Sequence, residues 1–169
     1  NDEHLLVLPA VGISSKAYFP AGQTRYVDDS GTDALNLCTD SMAPCRTIQW
    51  AIDRAFDADV IQVASGTYAE SVTVNKEVEI HGAGSGVNAW GRTAGSGSES
   101  ILDVRGMPVG FDIQADNVEV NGFDILGDVS TWAGVKMFGT RDQVVISSNL
   151  IHGLGAENPN SNSFSYSYG

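Results

Sequence analysis

Positive charge is what this sequence has least of. Lys and Arg together number 9 against 21 Asp and Glu, a formal net charge of -12 over 169 residues. An acidic surface repels nucleic acid and anionic lipid, so neither is an expected partner. The same charge suits solubility, cation binding or an extracellular setting. It disfavours polyanions such as pectate unless calcium bridges the charges. No apolar run approaches the roughly 20 residues of a membrane-spanning helix, so no span is expected. There is no P-loop, no Rossmann glycine fingerprint and no Gly-x-Ser-x-Gly elbow, which removes the commonest nucleotide-binding and serine-hydrolase signatures. Histidine is scarce, with 3 copies, and cysteine scarcer, with 2.

The chain nevertheless holds 42% hydrophobic residues, so it is not a disordered polyanion, and its length suits one domain with a continuous core. The two cysteines, Cys38 and Cys45, sit close together in a loop of Asp, Ser, Ala and Pro. In an exported chain such a pair reads as a local disulfide, and two free thiols are the other reading. A bridge over so short a loop is expected to add roughly 2–3 kcal/mol. The sequence begins at Asn1 without Met, which fits a processed export product or a trimmed chain.

The first segment, residues 1–25, contains Leu5, Leu6, Val7, Leu8, Val11 and Ile13 in an apolar, β-prone run. Free apolar tails are poorly ordered unless docked. The run either packs on its own domain as a first strand or adds as a strand to a neighbouring subunit. Thr47 to Phe56 predicts a helix, because Ile48, Ala51, Ile52, Ala55 and Phe56 form one stripe, with Pro44 and Thr47 suiting its start. A helix just before a run of strands can lie over the open end of a stack of strands.

After Asp57 the pattern changes to short β runs bounded by Gly, Asn, Asp or Ser. They are Val60 to Val63, Val72 to Val74, Val78 to Ile80, Ile101 to Val104, Phe111 to Ile113, Val118 to Val120 and Phe123 to Ile125. Val135 to Met137, Val144 to Ile146 and Leu150-Ile151 follow. The stretch Asn117 to Gly127 can be laid over Gln143 to Gly153 at an offset of 26 residues. Repeats of that size mark a solenoid. A β-sandwich is the alternative fold. Gly82 to Ser100 reads as a long projecting loop around Trp90 and Arg92. Residues 154–169 form a Gly/Ser/Asn tail with alternating Phe164, Tyr166 and Tyr168.

One order of parts carries a resemblance. Tyr26-Val27-Asp28-Asp29 leads to Cys45-Arg46-Thr47-Ile48-Gln49-Trp50-Ala51-Ile52, then to Gly66-Thr67-Tyr68-Ala69-Glu70 and Glu77-Val78-Glu79-Ile80-His81-Gly82. This resembles the opening of exported, pectin-lyase-like parallel β-helix proteins, over about Tyr26 to Gly153. The resemblance implies an all-β, right-handed parallel β-helix (solenoid) over residues 26–153, with an N-terminal capping α-helix at 47–56. It also implies secretion or a cell-surface location. It leaves function open, because polysaccharide lyases, esterases and adhesins share the fold.

No catalytic set of that family is found. Asp103, Asp112, Asp116, Asp124, Asp128 and Asp142 read mostly as turn or solvated-face residues beside Arg105 and Arg141. Asp28, Asp29 and Asp33 are a weak calcium candidate, without EF-hand spacing. His81 and His152, both in Ile-His-Gly, read as one turn position in two coils. Two functions are carried forward. The first is a non-catalytic extracellular structural protein, self-assembling into a filament or surface layer through Leu5 to Ile13. The second is a carbohydrate-binding module, or the front of a polysaccharide lyase or esterase, with Trp90 and Trp132 stacking on sugar.

Overall fold

A computed structural model describes residues 22–155. Twelve short strands, one α-helix and one turn of 3-10 helix at Ala89–Gly91 account for its regular structure. The strands are β1 (Thr24–Val27), β2 (Asp59–Val63), β3 (Gly66–Tyr68), β4 (Val72–Val74), β5 (Val78–His81) and β6 (Ser100–Asp103). They continue with β7 (Val109–Ile113), β8 (Glu119–Asn121), β9 (Phe123–Leu126), β10 (Ala133–Met137), β11 (Val145–Ser147) and β12 (Leu150–His152). The helix α1 spans Ile48–Arg54.

All described strand pairs are parallel, which an antiparallel sandwich lacks. The strands form three sheets, ordered β1-β2-β5-β8-β11, β3-β6-β9-β12 and β4-β7-β10. From β2 onward the chain visits the three sheets in fixed rotation. The 26-residue offset is the observed register: Glu119 pairs with Val145 and Ile125 with Ile151. Asn117 and Gln143, at equivalent positions, both have positive φ (52° and 54°).

Short alternating runs form these strands because each places every second side chain inward. Stacking then lines identical positions into rows. Ile61, Ile80 and Val120 form one row, and Tyr68, Leu102 and Ile125 another. Val72 and Phe111 form a third. All are buried. Phe111 and Phe123 meet edge to face at 5.2 Å in the middle of this core.

Helix α1 packs on β1, β2 and β4 and buries Ile48, Ala51 and Ile52. It is shorter than its sequence pattern. Ala55 is its extended C-cap, and Phe56 lies outside it, largely exposed. The helix stops there because Lys76 Nζ donates to the Ile52, Asp53 and Ala55 carbonyls, 2.7–2.9 Å away. At its start the Thr47 hydroxyl accepts from Trp50 N–H, and Glu70 accepts from Ile48 and Gln49 N–H. Cys38 and Cys45 are disulfide-bonded beside this helix. Strand β1 begins at Thr24, inside the segment read as an extension. The run from Leu5 to Ile13 and the aromatic tail at Phe164, Tyr166 and Tyr168 lie outside the described residues. Among the described residues no helix is long and apolar enough to cross a membrane.

Candidate functional site

Three places on this scaffold carry unusual chemistry. The first is the edge formed by β10, β11 and β12, each the last strand of its sheet. The core rows continue into it: Ile146 follows Val120, Ile151 follows Ile125 and Met137 follows Ile113. These three are 40%, 39% and 49% exposed, whereas their predecessors are buried. Core-type side chains therefore reach the surface beside strand edges that no described strand pairs. At the opposite end α1 packs on the edge strands β1 and β4.

The second place is the outer face of β5 and β8. Glu79 and His81 are two residues apart, so they share a face. Glu119 lies directly across from Glu79 in the ladder. His81 Nε2 stands 3.5 Å from a Glu79 oxygen and 3.8 Å from Glu119 Oε1. It is shielded from solvent, and no group of the described residues hydrogen-bonds to it. Asn121 Nδ2 donates to Glu119 Oε1 at 2.8 Å. A shallow depression lies alongside, lined by Glu79, Asn117, Glu119, Gln143 and Val145. Among the described residues this is the one group of three His, Cys, Asp or Glu whose ligand atoms gather within 4.8 Å.

The third place is the loop between β5 and β6, which is fastened down. Arg92 Nε donates to both Glu99 oxygens at 3.0 and 3.1 Å. Its Nη1 donates to the Ser148 carbonyl and its Nη2 to Gly122 O at 3.2 Å. Gly95 N–H donates to Asp124 Oδ2, and Asp124 Oδ1 faces His152 Nε2, both at 2.6 Å. Trp90 projects from this loop and is exposed.

Several sequence expectations change here. His81 and His152 do not share a turn position: His81 is in the sheet of β5, His152 in that of β12. Asp124 is no solvated-face residue, because the loop covers it completely. Asp28, Asp29 and Asp33 are not brought together. Asp28 accepts from the Ser30 N–H and hydroxyl, Asp29 from Thr67 N–H, and Asp33 from Arg46 N–H, Thr47 N–H and the Thr47 hydroxyl. Ser30 holds the Asp28 carboxyl below the usual carboxylate range. Asp103 pairs with Arg105 and Asp112 with Lys136. Trp132 is exposed just before β10, its backbone N–H donating to Pro108 O.

The Glu79–His81–Glu119 group was not among the sequence candidates. Its signal was present as Glu-x-His in a strand. Its third member lies 40 residues on and is invisible until the intervening loop is discounted. No protein family matches this chain, and neither a curated protein nor a solved structure is significantly similar to it.

Proposed function

We propose that this chain is a right-handed parallel β-helix of the pectin-lyase-like kind, acting as a non-catalytic extracellular structural subunit that assembles by strand addition. The fold part of this reading is supported by the rotation of strands through three parallel sheets. Its hand follows the strong right-handed preference of parallel crossovers. The Cys38–Cys45 bridge is weak support for an oxidising compartment.

The edge of β10, β11 and β12, which no described strand pairs, carries the assembly reading. Unpaired strand edges with apolar neighbours invite a further strand. The chosen occupant is Leu5 to Ile13 of a second copy. That segment precedes β1, which sits at the far end of the sheet from β11. A donor at one end and an acceptor at the other give head-to-tail contacts that need not close, hence filaments.

Electron microscopy of the full chain tests this. Filaments are expected, and a variant lacking residues 5–13 or carrying Ile146→Lys is expected to stay dispersed while keeping its circular dichroism spectrum. Normal assembly of the deletion variant, or monomers of the full chain at high concentration, would overturn the reading.

Carbohydrate binding is the second reading, and exposed Trp90 on a fastened loop supports it. Aromatic faces on rigid supports suit sugar rings. Retention on a glycan array that disappears in Trp90→Ala would favour it over assembly.

A further inference from the structure

We propose that Glu79, His81 and Glu119 bind one divalent transition-metal ion of the zinc type. Glu79 and Glu119 are directly opposite on adjacent parallel strands. Like charges so placed repel, and no described Lys or Arg forms an ion pair with either. Among the described residues the ion pairs of both run to His81 alone, at distances too long for good hydrogen bonds. Two close carboxylates and an unpartnered, solvent-shielded imidazole nitrogen are costly unless something sits between them.

The separations suit a shared cation. Tetrahedral zinc, about 2.0–2.2 Å from each ligand, leaves ligand atoms roughly 3.3–3.6 Å apart. The two observed separations from Nε2 are 3.5 and 3.8 Å, the first inside that range and the second slightly beyond it, and all three ligand atoms lie within 4.8 Å of one another. The donor set also selects the ion. Imidazole suits zinc, copper, iron and nickel, whereas calcium wants six to eight oxygens. Asn121 supplies the outer support, holding Glu119 Oε1 in place from two positions along β8. Three protein ligands would leave a fourth position for water, and the shallow depression lined by Asn117 and Gln143 lies beside the group. The ion would join β5 to β8, two strands separated in sequence by the Trp90 loop, β6 and β7.

Titration calorimetry with zinc chloride on the chelator-stripped full chain tests the assignment. One equivalent is expected to bind, with calcium chloride silent under the same conditions. Tm is expected to rise by roughly 5–10 °C at zinc a hundredfold above Kd. His81→Gln is expected to weaken binding at least about tenfold. His4→Gln and His152→Gln are expected to leave it unchanged. Glu79→Gln, a change at an exposed side chain, gives the same loss without touching the core and serves if His81→Gln misfolds. Absence of zinc binding, or equal binding by His81→Gln and Glu79→Gln, would overturn the proposal.

Discussion

Arg25 Nε and Asp59 Oδ2 lie 2.8 Å apart, with side chains 3% and 0% exposed, tying β1 to β2. Asp59 also accepts from Gln23 and Phe56 N–H, and Arg25 Nη1 donates to Leu37 O. Removing one partner strands a buried charge. Asp59→Ala is expected to lose about 3–5 kcal/mol in urea unfolding. A loss below about 1 kcal/mol would mean that the end of the fold relaxes around the vacancy.

The Cys38–Cys45 bridge closes a loop of sequence separation 7. Loop-closure entropy puts its contribution at about 2–3 kcal/mol. The Cys38→Ser/Cys45→Ser double variant is expected to lose that much, and reductant is expected to lower the Tm of the wild type but not of the variant.

Glu70 holds the start of α1 through two N–H groups. Burial raises its carboxyl above the ordinary value, against the pull of the Gln49 and Ile48 N–H groups. Glu70→Ala leaves those donors without a partner and is expected to cost about 1–3 kcal/mol. A raised folded pKa means that protonation favours the folded chain. Its favourable contribution is present below the unfolded value and lost as pH rises through the folded one. Stability measured against Glu70→Gln should therefore shift toward the wild type as pH falls from neutrality. Asp28 behaves oppositely: its lowered pKa gives stability above the unfolded value that is lost as pH falls through the folded one. Ser30→Ala should flatten that acid limb.

Gly122 and Ser148 occupy equivalent positions, both in the left-handed region, with φ of 82° and 53°. A Cβ on Gly122 would stand 2.0 Å from the Ser85 nitrogen. Gly122→Ala is expected to cost more than about 1 kcal/mol and to loosen the Trp90 loop. Ser148→Gly is expected to gain up to about 1 kcal/mol by relieving backbone strain. Chemical denaturation of both variants checks the opposed signs.

The repeated core was legible because inward residues recur in short runs, and where β8 and β9 pair with β11 and β12 the 26-residue offset is plain. The helix end was not, because its terminator is Lys76, more than 20 residues later. Strand β3 escaped notice: Gly66-Thr67-Tyr68 is only three residues long and starts on a glycine. Asp124 looked like a surface acid because nothing local shows that Gly95 and His152 cover it. Local pattern reveals which side chains face inward. It does not reveal which outward ones a loop later roofs over.

Arg92 bonds at once to Glu99 on its own loop, to Gly122 between β8 and β9 and to Ser148 between β11 and β12. In a stack where each layer touches only the next, unravelling starts at a free end and proceeds layer by layer. A single guanidinium reaching across three layers forbids that here. Pulled from its far edge, the part from β5 to β12 should resist as one block and then give way in a single rupture, with Arg92 as the latch.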